Sequence, residues 1–482
     1  MFPVVTSQAV RKAEQAWFAA HPGEDLMARA ASAVAQAAAE MLGDAESATG
    51  PARVLVVAGA GNNAGDSLFA AAELASRARY PVVLEVWPTA GSTHEAGLAA
   101  ALAQGATVVT AEAALHQVAS VSLIIDGVSG LGGRRGLSAP VAALAEAAES
   151  HQTPVLAVDL PSGIAADHPG LGASFRATRT VTFIGHKCAQ VALPAASRCG
   201  VVTLVDIGVE VPSATWFAVE PADLASWYPW PGPMSDKYSR GVVGCDTGSE
   251  TYPGAAVLSC SGALHAGAGL VRYAGPARSA VLAAHPSVVA SFDEQHPGRV
   301  QAWVCGSGWP ELDADRRARR LADGVPLVLD AAALLDPPSD LDATSVLTPH
   351  AGELAQLLGV SRSAVAEDPL AHARRAAQES GACVLLKGAA QYSVHPDGRV
   401  LIAEPGPAWS ATAGSGDVLA GMIGALIAAR VETWQAAALA ASLQARAARA
   451  CPGPHPPDHV ASRGLPQAIA TLMPAPPGLP VG

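Results

Sequence analysis

Short apolar runs alternate with longer alanine-rich segments along most of this chain. The opening differs: residues 7–19 and 25–42 set apolar positions at helical spacing among Ala, Arg, Glu and Gln, predicting two helices. Apolar runs then recur at 53–58, 82–87, 121–125, 154–158 and 181–184, separated by helical segments such as 65–78 and 139–149. Strands of this length between helices predict a parallel sheet with helices on both faces. A Pro- and Trp-rich stretch, 226–241, interrupts the pattern. Beyond it the pattern predicts a small-residue helix at 254–268 and strands at 270–273, 301–305, 326–330, 345–348 and 383–387. A hairpin follows over 390–395 and 400–403. The expected organisation is a domain over 1–219, a junction over 220–236 and a second domain over 237–482, a size at which two cores are expected for 482 residues.

Charge and composition narrow the class. The formal net charge of −12, without a basic block, gives no steering toward nucleic acid. No apolar segment is long enough to span a bilayer, and the start lacks a cationic head followed by an apolar signal core, so a cytoplasmic protein is expected. Seven scattered cysteines form no CxxC pair and the histidines no HExxH, which disfavours a zinc site or a disulfide framework. Lysine occurs only at Lys12, Lys187, Lys237 and Lys387. Lys187 and Lys387 lie beside expected strands in the regions richest in motifs, where a mobile ammonium can serve a ligand.

In the first half, GAGNNAGD at 59–66 follows a strand and opens a helix. Glycines permit a tight passage and helix-start amides can hold an anion, but this is not a GxGxxG fingerprint. Asp126 and Asp159 each follow an apolar strand and precede a Gly/Ser loop, which puts both acids at strand ends where open α/β proteins form clefts. Asn63, Asp126 and Ser162 offer oxygen donors of the kind a hard cation or a polar substrate accepts.

The GNNxGD loop, the strand-end Asp126, VDLPSG at 158–163 and TVTFxxxK ending at Lys187 resemble the NAD(P)H-hydrate epimerase domain. The resemblance implies a Rossmann-like three-layer sandwich and binding of hydrated NADH or NADPH. By it, the dinucleotide would meet Asn62, Asn63, Ala64, Gly65 and Asp66, the loop of Gly130, Leu131, Gly132, Gly133, Arg134, Arg135 and Gly136, and Asp159. Asn63, Asp126 and Ser162 would surround K⁺, and Asp159 would move the proton when the R and S epimers interconvert. Three positions depart from the pattern: Ala64 and Ser67 stand where the family has glycine, and Ala28 where it has Glu. Side chains at 64 and 67 are expected to crowd a close backbone approach.

In the second half, SATAGSGDVLAGMIGAL at 410–426 is the sharpest signal. Gly414, Ser415 and Gly416 can expose amides to a phosphate, and Asp417, in the first turn of the helix that follows, can take a proton. YPGAA, GAGLVR, LVLDAxAL, LTPHxGE, LLKG and this last motif resemble ribokinase-like NAD(P)H-hydrate dehydratases over nearly the whole half. The resemblance implies a ribokinase-like α/β domain in which Ala255, Gly308, His350 and Asp417 bind the hydrated dinucleotide. Lys387, Gly388, Ala389, Ala390 and Gln391 would bind the adenine nucleotide, with Gly416 at its phosphate. ADP is the expected phosphoryl donor, with ATP as the alternative and Mg²⁺ on the nucleotide; a homo-oligomer is expected. Glu353 reads as an organiser of its turn. Departures are Pro310 for a glycine in the 306–310 loop, Ala332 for a second acid and Ala413 for a glycine. A sugar or vitamin kinase, or a noncatalytic dinucleotide sensor, are the competing readings.

Overall fold

The computed structural model describes residues 1–43, 50–78, 80–293 and 297–473, so 474–482 of the second expected domain lie outside it. The chain forms two compact units, Pro3–Ala214 and Thr215–Gly482 with Met1–Phe2. The division falls after Ala214, ahead of the expected 219, because the strand Trp216–Ala218 pairs in parallel with Val400–Ile402 of the second unit's sheet. The expected junction is itself structured. Pro221–Trp227 is a helix, the Tyr228 hydroxyl donates to the Ala266 carbonyl, and the Trp230 indole donates to the Ala225 carbonyl.

The first unit is built on a seven-stranded, all-parallel sheet. In spatial order its strands are Thr107–Val108, Val82–Pro88, Ala52–Ala58, Leu123–Gly127, Val155–Val158, Arg179–Phe183 and Val201–Val205. Successive side chains of a strand face opposite ways, and the sequence uses both faces. Val54, Val56 and Ala58 pack into a core with Leu26–Leu42 and Asn62–Arg77, while Leu55 and Val57 pack into another with Ala139–His151. From Ala52–Ala58 the chain moves to Val82–Pro88 on one side and later returns to Leu123–Gly127 on the other. The crevice of this sheet therefore opens beyond the ends of Ala52–Ala58 and Leu123–Gly127.

The second unit's sheet runs Trp216–Ala218, Val400–Ile402, Tyr392–Val394, Cys383–Leu386, Val346–Leu347, Leu327–Leu329, Ala302–Cys305, Val242–Asp246, Leu270–Tyr273 and Val289–Ala290, with Phe2 of the opening strand at the Trp216 edge. Tyr392–Val394 is antiparallel to both neighbours, as the expected hairpin requires. From Val242–Asp246 the chain adds Leu270–Tyr273 and Val289–Ala290 on one side and then returns to Ala302–Cys305, parallel to Val242–Asp246, on the other, so the crevice here lies beyond Asp246 and Cys305. The apolar helices Pro253–His265, Ser415–Ala428 and Thr433–Ala450 share one core with the sheet. Among the described residues no helix is long and apolar enough to cross a membrane.

Candidate active sites

In the first unit, the helix Asn62–Arg77 begins directly after Gly61, and no side chain caps it, which leaves its opening amides to a ligand. Gly59 is required here: a Cβ would stand 2.0 Å from the Val128 carbonyl oxygen, so the loop can lie against the turn that follows Asp126 only without one. The two unusual side chains do not crowd the opening. Ala64 is wholly buried, and Ser67 turns inward beneath Gly127, its hydroxyl donating to the Ala64 carbonyl at 2.8 Å.

Gly130 brings two candidates together. A Cβ built on it would meet Asn63 Oδ1 at 2.5 Å and Asp159 Oδ2 at 3.2 Å, so both oxygens flank this one backbone position. The 130–136 loop closes on itself through Gly133 N–H to the Gly130 carbonyl and is tied to Gly163 through Gly136 N–H. Arg134 and Arg135 are exposed on it. Asp159 holds a left-handed backbone, φ +63°. Its Oδ1 accepts from Lys187 Nζ at 2.6 Å and Thr182 Oγ1 at 3.0 Å, and its carbonyl accepts from Gln190 Nε2 at 2.7 Å. Lys187 is buried and its ammonium is fully used, donating also toward Thr182 Oγ1 and the Phe183 carbonyl.

Asp126 is wholly buried and accepts from the Ser162 N–H at 2.7 Å, the Ser162 hydroxyl at 2.6 Å and the Val128 N–H at 3.3 Å. Burial pushes its carboxyl up to about 6 against those hydrogen bonds, and no cationic side chain offsets it. A second acid carries a larger shift: burial first, then the charges of Asp159, Glu14 and Asp25, push Asp66 up to about 8. Glu14 belongs to the helix Ser7–Ala20, which is fastened by Ser7 to the Asp167 carboxylate and by Arg11 to the Leu131 carbonyl. Burial and then the Asp159 charge raise the Glu14 carboxyl.

In the second unit, Gly414 turns the chain with φ +91° and the helix Ser415–Ala428 starts, setting Asp417 in its first turn. Burial, then the Asp330 charge, push Asp417 up to about 6, with Lys387 pulling the other way. Lys387 ends the strand Cys383–Leu386, and its Nζ donates to Asp330 Oδ1 at 2.6 Å and stands 3.9 Å from Glu353 Oε2. A Cβ on Gly416 would lie 3.3 Å from that Nζ, so the ammonium and the glycine turn share one spot. Gly388 and Ala389 are exposed beyond it, with Ala390 and Gln391 half-buried.

Gly308 sits at the sheet's crevice with φ +70°, and a Cβ on it would come within 2.5 Å of the Ala255 Cβ, so these two candidates touch. The altered loop around it is filled by Trp309, whose indole donates to the Asp246 carbonyl, while the Asp246 carboxylate pairs with Arg316 and Arg320. His350 caps the helix Ala351–Leu358: its Nδ1 accepts from the Gly352 and Glu353 amides, and Glu353 closes the capping box on the His350 N–H. Nδ1 is thereby an acceptor, while Nε2 stands 3.6 Å from Glu353 Oε1 on a largely exposed ring. A small hollow of about 20 Å³ borders the start of the Asp417 helix, lined by Trp409, Ser410, Ser415, Gln444 and His455 among others.

Residues 243–469 match the family described as NAD(P)H-hydrate dehydratase, and residues 23–189 match the YjeF-related protein N-terminus. The chain is 40% identical over 461 residues to the bifunctional NAD(P)H-hydrate repair enzyme of Mycobacterium leprae, covering 92% of this chain and 94% of that one. The chain belongs to the bifunctional NAD(P)H-hydrate repair enzyme family. The same description is carried by relatives in Mycobacterium tuberculosis, 40% identical over 89% of this chain and 90% of theirs, and in Escherichia coli, 31% identical over 80% and 78%. As in that family, a Rossmann-like α/β unit precedes a ribokinase-like α/β unit.

For a bifunctional repair enzyme, the structure adds residues to the expected sets. Lys187, Thr182 and Gln190 hold Asp159, Glu14 enters from the opening helix, and Asp330, Ser307 and Thr348 stand behind Lys387. Only the lysines carried a sequence signal, as rare residues beside strands. The carboxylates and hydroxyls that meet them come from distant segments with no shared spacing.

Proposed function

We propose that this chain repairs hydrated NADH and NADPH in two steps. The first unit interconverts the R and S epimers, and the second dehydrates the S epimer with ADP, releasing AMP and phosphate. The observation that carries this reading is that at the strand ends of each sheet an acid stands near a lysine: Asp159 with Lys187, and Asp417 with Lys387.

In the epimerase unit, Asp159 is the proton carrier. It takes the proton of the 6-hydroxyl and delivers it to the ring nitrogen as the bond between that nitrogen and the hydrated carbon breaks, leaving an aldehyde and an amine. Reversal on the other face of the carbonyl gives the other epimer. Lys187 and Thr182 keep the carboxylate in one orientation. Asn62, Asn63, Ala64, Gly65 and Asp66 supply the helix start to the dinucleotide's phosphates, and the 130–136 loop, with Arg134 and Arg135, lies beside it. Asn63, Asp126 and Ser162 would hold K⁺: a buried carboxylate with no cation beside it and the flanking Asn63 oxygen suit a large monovalent ion. Bound there, K⁺ would supply a fixed positive charge under the loop.

In the dehydratase unit, Ala255, Gly308 and His350 bind the hydrated ring. Asp417 takes the proton of the 6-hydroxyl as its oxygen attacks the terminal phosphorus of ADP, and the bond to the α-phosphate breaks to give AMP. The ring nitrogen then expels the new phosphate, and loss of a proton from the neighbouring carbon restores the double bond of NADH or NADPH. Gly416 offers its amide to the phosphate, and Lys387 to Gln391 border the nucleotide. Mg²⁺ carried on the nucleotide would supply charge neutralisation at its phosphates.

The deciding experiment supplies chirally resolved NADPH hydrate, ADP and Mg²⁺, and follows both epimers, NADPH and phosphate. Loss of both epimers with matched NADPH and phosphate is expected. A stable phosphorylated product would instead assign a kinase, and no conversion with ADP or ATP would leave a sensor.

A further inference from the structure

The two buried lysines differ in how their hydrogens are used. Lys187 has a side chain 1% exposed and spends its ammonium on Asp159, Thr182 and the Phe183 carbonyl. Lys387 is 17% exposed and, among the described residues, donates one hydrogen bond, to Asp330. Two of its three hydrogens are left for a ligand, at the Gly416 turn.

Asp330 is held as firmly as Lys187 is. It is buried, its Oδ2 accepts from the Ser307 hydroxyl at 2.7 Å, and its Oδ1 accepts from the Thr348 hydroxyl at 2.8 Å. Ser307, Asp330, Thr348 and Lys387 follow the ends of four strands that are neighbours in the sheet, Ala302–Cys305, Leu327–Leu329, Val346–Leu347 and Cys383–Leu386. The chain of hydrogen bonds thus runs across the sheet's end from the residue beside Gly308 to the turn before Asp417. Burial works against the Asp330 charge, yet Lys387 and the two hydroxyls hold its carboxyl below the usual range. Burial also works against the Lys387 charge, and Asp330, then Glu353, hold it above the usual lysine range.

We propose that Asp330 is a positioning residue for phosphoryl transfer: it holds the Lys387 ammonium against the Gly416 turn, where that ammonium meets the phosphoryl group passing from ADP to the 6-hydroxyl. This rests on the dehydratase reading. A buried ion pair gives little net stability, so a pair kept here for the fold alone would have no reason to leave two ammonium hydrogens open. During transfer the terminal phosphoryl group leaves the α-phosphate oxygen and joins the substrate oxygen, whose proton goes to Asp417. The charge spread over its oxygens in between is what a fixed ammonium stabilises.

Asp330→Asn keeps the shape and removes the charge. Its dehydration kcat is expected to fall about 10²–10³-fold, with KM for ADP changing far less, because the lost interaction acts on the transition state. Lys387→Gln should lose a similar factor, and the double variant no more than either alone. The acid limb of the dehydration profile should also move to lower pH in Asp330→Asn, since the Asp330 charge raises Asp417; the fall in kcat with little change in KM is the readout a purely structural role would not give. If Asp330→Asn does not fold, Ser307→Ala and Thr348→Ala each remove one hydrogen bond from Asp330, and about tenfold losses of kcat are expected. An active wild type with equally active Asp330→Asn, or with unchanged kcat in both hydroxyl variants, overturns this inference alone. A wild type that releases no phosphate from ADP sinks the dehydratase reading and takes the inference with it.

Discussion

As the proposed base Asp417 must be ionised to take a proton, and burial has lifted its carboxyl to about 6. Dehydration by the wild type should therefore rise with pH through about 6 and level off above it, measured as kcat/KM with saturating ADP. Removing the Lys387 charge takes away the one influence that lowers this value, so the acid limb of Lys387→Gln should lie at higher pH. Asp66 makes a stability prediction of the same origin. Its carboxyl stands near 8 in the folded unit against 3.8 ordinarily, so between those values the folded state holds a proton that the unfolded chain has released. Stability from this group is present at low pH and is lost as pH rises from about 4 to about 8. Asp66→Asn removes the dependence: calorimetry should show the melting temperature of the Asp66 variant falling less steeply from pH 6 to pH 8, by about 3 °C per unit. These residues show where the sequence was readable. Asp417, Asp159 and Asp126 stood out because each ends a strand or opens a helix beside glycine, and a chain has few ways to do that. Glu14 gave no such sign, and Asp330 entered only inside the LVLDAxAL run with no glycine beside it: one lies in an ordinary amphipathic helix, the other after an ordinary buried strand, and both gain meaning from partners far along the chain.

Helices and strands were more legible than their contacts. The strand Leu270–Tyr273 and the hairpin strands fall where apolar runs placed them, and Asp25 proves to be the cap of its helix, its side chain accepting from Ala28 N–H. The strand Val201–Val205 was missed, as was the two-residue Thr107–Val108; both are sheet edges, where partial exposure breaks the buried pattern that marks the inner strands. What the glycines of the Asp417 helix do was also hidden. A Cβ on Gly421 would stand 2.0 Å from the Ser259 carbonyl oxygen, and one on Gly262 2.1 Å from that of Val418, so Pro253–His265 and Ser415–Ala428 meet backbone to backbone. On the sheet side, a Cβ on Gly424 would strike Val304. The helix that carries Asp417 is thus wedged between a helix and the sheet, which fixes its first turn. Gly421→Ala should force the two helices apart at a cost of about 1–3 kcal/mol or more, read as a lower denaturant midpoint. Dehydration should fall with it while epimerisation by the same protein stays unchanged, because the packing lost belongs to one unit.

For the whole molecule, the two units must act in sequence on one substrate pool, and that gives a test neither unit gives alone. A dehydratase that accepts only the S epimer stalls when S is consumed unless R is converted, so full repair of a mixed pool depends on Asp159 even though Asp159 performs no dehydration. Asp159→Asn removes the proposed proton carrier but keeps an oxygen in place to accept from Lys187 and Thr182. Epimerisation is expected to fall about 10²–10⁴-fold. With ADP and an R/S mixture, this variant should form NADPH at the wild-type initial rate until S is spent, then proceed only as fast as R converts without the enzyme. Asp417→Asn should do the opposite, equilibrating the epimers while releasing no phosphate. Adding Asp417→Asn protein to the stalled Asp159→Asn reaction should restart NADPH formation, since one supplies S and the other consumes it. If the mixture stays stalled, or if Asp159→Asn alone consumes both epimers at the wild-type rate, Asp159 is not the epimerase base; if phosphate still forms at full rate in Asp417→Asn, the acid that takes the hydroxyl proton lies elsewhere.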